Sequence, residues 1–391
     1  MTGNAGRIAV LHFDNARIRG GVEEHMLTLL RGLDRTRFKL MMAVHPDLLE
    51  LIGPDLPSDV EAIPLQLEGP RDFSGALRFI SILRDRRVDI VHSHMFQASR
   101  LGSPLALLAG VPVRIETPHV RESWRSGWIK GSYLIDRSIG RFVTTYIAVS
   151  EANYSYLVND KQLPATKVVL VRNGISLEQF DPERMPRPGM RCSLGISEDA
   201  PVVAVIARLE PQKGHRVLMD AWQSVIQAFP KAVLVCVGAG QLRDELETYT
   251  ANSGLSHSVR FPGYQSKVAD WLTLADFTVL PSFFEGLPLA AIESLATARA
   301  VIGTAVDGTT EVVRDGETGL LVPPGEPGPL ATAICRLLAM PELARNLGST
   351  GSRWVRQHFN ARHQVMNTET VYEDALRLVE NLSERRKGER K

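Results

Sequence analysis

The sequence predicts an α/β protein of two doubly wound, Rossmann-like domains facing a cleft. Short β-branched runs alternate with longer helical patterns, which implies parallel βαβ units. A stretch without periodicity, 181–195, breaks that rhythm at mid-chain, with Pro182, Pro186, Pro188 and Gly189 clustered in it. The alternation then restarts. The 391 residues leave each half room for a core of its own.

Ile8–Leu11 reads as a buried strand, followed by Gly20-Gly21 and a helix over Val22–Leu33. Phe38–Val44, Asp89–His94, Val113–Thr117, Thr145–Val149 and Val168–Val171 continue the first series of strands. The second series is Val202–Ala207, Ala232–Val237, Val259–Phe261, Phe277–Leu280 and Ala300–Gly303. Helices are expected over Gly214–Phe229 and from Pro288 to Thr297. A last amphipathic helix, Asn360–Leu382, carries Val365, Thr368, Val371, Tyr372, Ala375, Leu378 and Val379 near helical spacing. The expected organisation is an N-terminal domain 1–180 joined by helix 360–382, a linker 181–195, a C-terminal domain 196–355 and a solvated basic tail 383–391.

Composition excludes several classes. Apolar residues make up 44% and charged residues 23%, ordinary globular values. Lys+Arg is 45 against Asp+Glu 44, so no global field draws the chain to nucleic acid. Anion binding must come from a local patch. Cys192, Cys236 and Cys335 lie far apart, suggesting neither a disulfide framework nor a zinc site, and a reducing compartment. The apolar run Ile8–Leu11 is too short for a signal peptide. Leu101–Val113 is interrupted by Ser103, Pro104, Gly110 and Pro112 and is too short to span a bilayer. The expected location is cytoplasmic, with peripheral attachment to the inner face of a membrane as a further option.

Candidate chemistry gathers at the ends of predicted strands, where ligands bind in such sheets. Arg208 and Lys213 flank one loop. Arg by its fork and Lys as a point charge would clamp a diphosphate; the alternative is two solvated loop cations. Phe284-Glu285-Gly286-Leu287-Pro288 runs into Glu293. Pro288 suits a first helical turn, and the amides around Gly286–Leu289 would be unpaired and ready for an anion. Seven residues separate Glu285 from Glu293, so one carboxylate can face a sugar while the other reaches a ribose. Alternatively, Glu285 complements a helix N-terminus and Glu293 is an ion-pair partner. Gly20-Gly21 would let backbone approach a phosphate, or simply make a tight turn. The absence of G-x-G-x-x-G and of an acid at the dinucleotide spacing argues against a nicotinamide enzyme.

His119, two residues past a strand, could donate to a sugar hydroxyl, with His92 and His94 as runners-up and a structural loop histidine as the alternative. No H-E-x-x-H spacing or Asp-x-Asp pair occurs, so no metal site is expected; Arg, Lys and helix ends would neutralise a bound phosphate. Arg121–Phe142 carries five cations against Glu122 and Asp136. Trp124, Trp128, Tyr133, Leu134, Ile135, Ile139 and Phe142 interleave with them. That is the composition of a membrane-surface segment, or of a core-facing helix with a solvated basic side.

Taken together, these residues resemble glycosyltransferase family four, of GT-B fold, over nearly the whole chain. The resemblance is carried by Arg208 with Lys213, by the E-x7-E pair Glu285/Glu293, and by D-G-E-T-G-L-L-V-P at 315–323. Gly20-Gly21-Val22-Glu23-Glu24-His25, Val149-Ser150, Asn173-Gly174-Ile175 and Gly238-Ala239-Gly240 support it. It implies a retaining, metal-independent enzyme that moves a hexosyl-type sugar from a nucleoside diphosphate, UDP ahead of GDP, without another cofactor. The implied acceptor is a hydroxyl of a glycan or lipid-linked intermediate in cell-surface polysaccharide or glycolipid synthesis. The resemblance implies that Arg208 and Lys213 hold the diphosphate, that Glu293 binds the ribose, and that Glu285 binds the transferred sugar with backbone at Gly286 and Leu287 nearby. It also implies that Gly21 approaches the phosphate, that His119 sits beside the sugar, and that the last helix crosses back onto the first domain. Gly238–Gly240 and Gly263-Tyr264 are candidates for the base. The chain departs from the family pattern at Ala207, at Val120 after the histidine, and at Asp307-Gly308. The alternatives are a non-catalytic nucleotide-binding protein, or a nucleotide-sugar epimerase or hydrolase, on the same fold.

Overall fold

The computed structural model describes residues 6–122 and 133–388. The chain forms two units, Met1–Asn173 with Ala361–Lys391, and Gly174–Asn360. The first is built on a parallel sheet of β1 (Ile8–Phe13), β2 (Phe38–Val44), β3 (Glu61–Pro64), β4 (Ile90–His94), β5 (Val113–Thr117), β6 (Thr145–Ala148) and β7 (Val168–Leu170). Its order is β3-β2-β1-β4-β5-β6-β7. Helices cover both faces, so the inner strands β1 and β4 are buried on both sides, polar residues of β4 included. One face buries Met26, Leu30, Phe38 and Tyr372; the other buries Phe13, Phe79, Leu83 and Val91.

The helix Ala361–Gly388 belongs to this first unit and packs on the helix Gly21–Gly32. Tyr372 is fully buried. Glu369 accepts from the Asp34 amide and from Arg37 Nη1, each at 2.8 Å, and Arg37 also pairs with Glu373. The helix continues to Gly388, so residues 383–388 are not the free tail the sequence predicts. Glu384, Arg385, Arg386 and Lys387 are straight-chain residues with good helix propensity, and no breaker precedes Gly388.

The second unit has β8 (Val202–Ile206), β9 (Val233–Val237), β10 (Val259–Gly263), β11 (Phe277–Leu280), β12 (Ala300–Thr304) and β13 (Gly319–Val322). They are ordered β10-β9-β8-β11-β12-β13 around Trp222, Leu234, Phe277 and Leu337. Residues 181–195, expected as a linker between domains, lie inside this unit. Met190 and Ile196 pack with Val202, Ala204 and Val235. The prolines erase periodicity there, but the apolar residues still find a core. The boundary falls instead at Asn173/Gly174 and Asn360/Ala361. At the unit's own entry and exit, the Ile175 amide donates to the Phe359 carbonyl at 3.0 Å.

Two strands escape the sequence reading, β3 and β13. Both are four-residue edge strands, and β3 ends on Pro64, which an edge tolerates. Among the described residues, no helix is long and apolar enough to cross a membrane.

In both sheets the strand order reverses beside the first strand, between β1 and β4 and between β8 and β11. At such a switch point the outgoing loops diverge, leaving room for a ligand outside the carboxyl ends of the strands.

Candidate functional site

In the second unit, the loops after β8 and β11 flank the switch point and are stitched together. The Phe283 amide donates to the Gln212 carbonyl at 2.8 Å, and Gln212 Nε2 donates to the Phe284 carbonyl at 2.8 Å. Gly214 permits this approach. Its φ is +66°, and a Cβ there would strike the Pro281 carbonyl. The two loops therefore bring Lys213 and Glu285 into contact, Nζ to Oε1 2.5 Å, with Ser282 Oγ donating to the same oxygen at 2.7 Å. Glu285 is buried and Lys213 nearly so.

Arg208 follows β8 half-buried, and its side chain makes no hydrogen bond or ion pair among the described residues. The helix Leu289–Ala296 starts one residue later than expected, with Pro288 as its N-cap. The amides of Gly286, Leu287, Leu289 and Ala290 make no hydrogen bond among the described residues. They are orphan donors at the positive end of that helix, beside the two cations' loop. Glu293 lies on the same helix, half-buried. Gly238 follows β9 and donates its amide to the Gly263 carbonyl at 3.0 Å, so the two segments proposed for the base adjoin. Tyr264 is half exposed at the end of β10.

The sequence marks Asp307 only as a departure from the family pattern, not as a site residue. Its backbone is left-handed, φ +36°, a region Asp tolerates better than most residues. Its Oδ2 accepts from the Glu285 amide at 3.2 Å, and Gly308 lies against the Gly286 carbonyl.

In the first unit, Gly20 is extended and N-caps the helix Gly21–Gly32, so no tight turn requires it. Its amide donates to Glu23 Oε2 at 2.6 Å. Burial, and then the neighbouring Asp14 carboxylate, push Glu23 up.

His119 is not a lone loop histidine. His12, His25, His92, His94 and His119 are all buried around the β1–β4 switch point. His92 and His94 alternate onto one face of β4, and His12 is the register partner of His92. His94 bridges His12 Nδ1 at 3.1 Å and His119 Nε2 at 3.2 Å. Desolvation lowers all five pKa values, His12 to about 3 and His25 to about 4. Two sets, His12/His92/His94 and His25/His94/His119, each bring a nitrogen per ring within 4.8 Å of one another. No sequence spacing signals this convergence, because the sheet register creates it.

Comparison with known proteins places the chain. The model for "Glycosyltransferase Family 4" matches residues 19–179, and that for "Glycosyl transferases group 1" matches 200–340. The D-inositol 3-phosphate glycosyltransferase of Streptomyces bingchenggensis is 30% identical over 313 residues, covering 74% of this chain and 67% of that protein. The chain belongs to glycosyltransferase family 4. This glycosyltransferase is also 27% identical over 258 residues to the UDP-Gal:alpha-D-GlcNAc-diphosphoundecaprenol alpha-1,3-galactosyltransferase of Escherichia coli, covering 64% of this chain and 67% of that protein. Its fold matches that of HepE from Anabaena, solved with UDP and glucose, with a TM-score of 0.82 at 19% identity, covering 94% and 100% of the two chains. It thus has the GT-B architecture.

The basic-aromatic stretch of this glycosyltransferase is described only in part. Trp124, Arg125, Trp128 and Lys130 lie outside the described residues. Its two acids turn inward, since Lys161 Nζ lies 2.9 Å from both Glu122 and Asp136, and all three are buried. Leu134, Ile135, Arg141 and Phe142 are exposed.

Proposed function

We propose that this family 4 glycosyltransferase transfers a glycosyl group with retention, and without a metal ion, from a UDP-sugar to a hydroxyl of a glycan or lipid-linked acceptor. One observation carries the proposal. Arg208, Lys213 and the four unpaired amides after Glu285 lie on loops at one switch point, a cationic and dipolar site for a diphosphate.

The barrier to such a transfer is charge separation. The sugar becomes oxocarbenium-like while the departing diphosphate gains charge. Arg208, Lys213 and the amides of Gly286, Leu287 and Leu289 stabilise that charge where it develops. Glu285 accepts from hydroxyls of the sugar and Glu293 from those of the ribose. Tyr264 and the Gly238–Gly240 segment pack the base, Gly20 and Gly21 approach the phosphate, and His119 contacts the sugar. Retention follows if the acceptor attacks the face the diphosphate leaves, with the leaving phosphate oxygen taking the acceptor's proton.

UDP is favoured over GDP by the Escherichia coli relative, whose name specifies a UDP-galactose donor and a diphosphoundecaprenol-linked acceptor. A lipid-linked acceptor also suits the exposed Leu134, Ile135, Arg141 and Phe142, with the neighbouring acids turned away onto Lys161. Cell-surface glycan synthesis on the inner face of a membrane is the matching setting.

A panel of UDP- and GDP-sugars with excess chelator, scored for nucleotide release and for the product anomer, tests this reading. UDP-sugar turnover with retained configuration is expected. An inverted product, or strict dependence on magnesium or manganese, would overturn it. Sedimentation with vesicles that shows no dependence on anionic lipid would remove the membrane part alone.

A further inference from the structure

Buried imidazoles in the first unit form a single hydrogen-bonded chain that ends at His119. Thr117 Oγ1 lies 2.7 Å from His92 Nε2, and His92 Nδ1 lies 2.7 Å from the Tyr372 hydroxyl. The Tyr372 hydroxyl lies 3.3 Å from His12 Nε2. His12 Nδ1 then meets His94 Nε2 at 3.1 Å, and His94 Nδ1 meets His119 Nε2 at 3.2 Å. His119 Nδ1 makes no hydrogen bond among the described residues.

A neutral imidazole has one donor and one acceptor nitrogen. Every internal ring of this chain has both nitrogens engaged, so each must accept on one side and donate on the other. The run His12–His94–His119 therefore has only two consistent states, and the Tyr372 hydroxyl, which can donate to His12 Nε2 or accept from it, sets which. In one, the rings carry their protons on Nδ1 and His119 offers Nδ1–H to a ligand. In the other, they carry them on Nε2 and His119 offers a lone pair. Tyr372 is the one link that is not an imidazole, and it comes from the C-terminal helix Ala361–Gly388. His25 fixes the ring plane from the side. Its Nδ1 lies 2.7 Å from Asn173 Oδ1, and its ring packs edge-on against His119 at 4.6 Å.

We infer that Tyr372 is a positioning residue: by donating its hydroxyl to His12 Nε2 it holds His12, His94 and His119 in the Nδ1–H tautomer, so that His119 Nδ1–H meets a sugar hydroxyl as a donor. The role of His119 toward the sugar rests on the proposed function; the tautomer coupling does not. The hydroxyl of Tyr372 cannot touch substrate, being fully buried. It acts by passing donor and acceptor sense along the chain.

Nitrogen-15 NMR of protein labelled at histidine side chains tests the coupling without any substrate, with His119 assigned by His119→Gln. The wild type is expected to show His12, His94 and His119 in one shared tautomer at neutral pH. Tyr372→Phe, which keeps the ring and removes the hydroxyl, is expected to give a tautomer mixture at His119. In turnover, Tyr372→Phe is expected to lower kcat by about fivefold to tenfold, the worth of one net hydrogen bond, with donor KM unchanged. Combined with His119→Gln, it should add nothing further. Should Tyr372→Phe fail to fold, His12→Gln cuts the same chain one link on. Unmoved His119 resonances in the folded variant, or additive losses in the double variant, would sink the inference. So would stoichiometric zinc uptake that shifts these nitrogens, because a metal-held lone pair cannot accept a hydrogen bond. Loss of all transfer with the tautomer shift intact would count against the proposed function and leave the coupling standing.

Discussion

Lys213 Nζ lies 2.5 Å from Glu285 Oε1, and Ser282 Oγ reaches the same carboxylate oxygen at 2.7 Å. The cation proposed for the diphosphate thus neutralises the acid proposed for the sugar. A phosphate entering beside Lys213 shares that cation with Glu285, which couples diphosphate binding to the freedom of the sugar-reading carboxylate. Lys213→Ala removes a charge from the leaving-group site and is expected to cost about 10²–10³ in kcat. It also leaves Glu285 buried without its cation, at about 3–5 kcal/mol of stability. Lys213→Ala with Glu285→Gln should recover most of that stability and none of the activity. Urea unfolding and donor turnover on the wild type and the two variants measure both. A double variant no more stable than Lys213→Ala would show that the pair is not what holds the two loops.

Arg208 gives the opposite profile. Its side chain makes no hydrogen bond or ion pair among the described residues, so nothing in the fold depends on its charge. Arg208→Ala should change stability by less than about 0.5 kcal/mol. Donor turnover should fall by about 10²-fold. Arg208→Lys should recover little, because a point charge cannot replace a bidentate fork. Titration with UDP and initial rates would decide this, and an unaltered UDP affinity in Arg208→Ala would remove Arg208 from the site.

Gly308 supports the same loop from behind. A Cβ there would strike the Gly286 carbonyl, within the segment whose amides stand unpaired. Gly308→Ala should cost about 1–3 kcal/mol through overpacking and should depress transfer beyond that, because the loop must move. Gly328→Ala is the control. Its Cβ meets nothing within 4 Å, so it should be neutral or stabilising by up to about 1 kcal/mol. Equal effects from the two substitutions would show that the Gly286–Gly308 approach is not a constraint.

Most of the second-unit site can be read in the sequence because it is local. Arg208 and Lys213 share one strand-to-helix loop, and Glu285, Gly286, Leu287 and Pro288 share another, so strand-end reasoning finds both. What escapes is what the sheet assembles. Ser282 and Asp307 meet Glu285 only because β11 and β12 lie side by side. The histidines meet because His12 and His92 are register partners and because Tyr372 arrives from the far end of the chain. The unit boundary at Asn173/Gly174 is illegible for a related reason. Pro182, Pro186 and Pro188 leave 181–195 without periodicity, but they do not stop Met190 from being buried.

The same histidine cluster sets the acid limit of stability. His12 is held down to about 3 and His25 to about 4, and His92, His94 and His119 well below the ordinary value, in each case chiefly by burial. The unfolded chain takes up these protons below pH ~6.5 while the folded chain refuses them. Their contribution is therefore complete above the unfolded value and is lost as pH falls toward the folded values. Three buried carboxyls act the other way. Burial raises Glu116 to about 7 and pushes Asp14 and Glu23 up as well. Their contribution is present at acid pH and is lost as pH rises through their folded values. Near pH 5, these five histidines together with His215, which burial also lowers to about 4, outweigh three carboxyls by about three protons, so stability should fall by roughly 4 kcal/mol per pH unit on acidification. Near pH 7 the two groups nearly cancel, which places the maximum there. Urea unfolding at pH 8, 7, 6 and 5 checks the shape. A midpoint that stays level from pH 7 to pH 5 would mean that these rings are not buried and neutral in the folded chain.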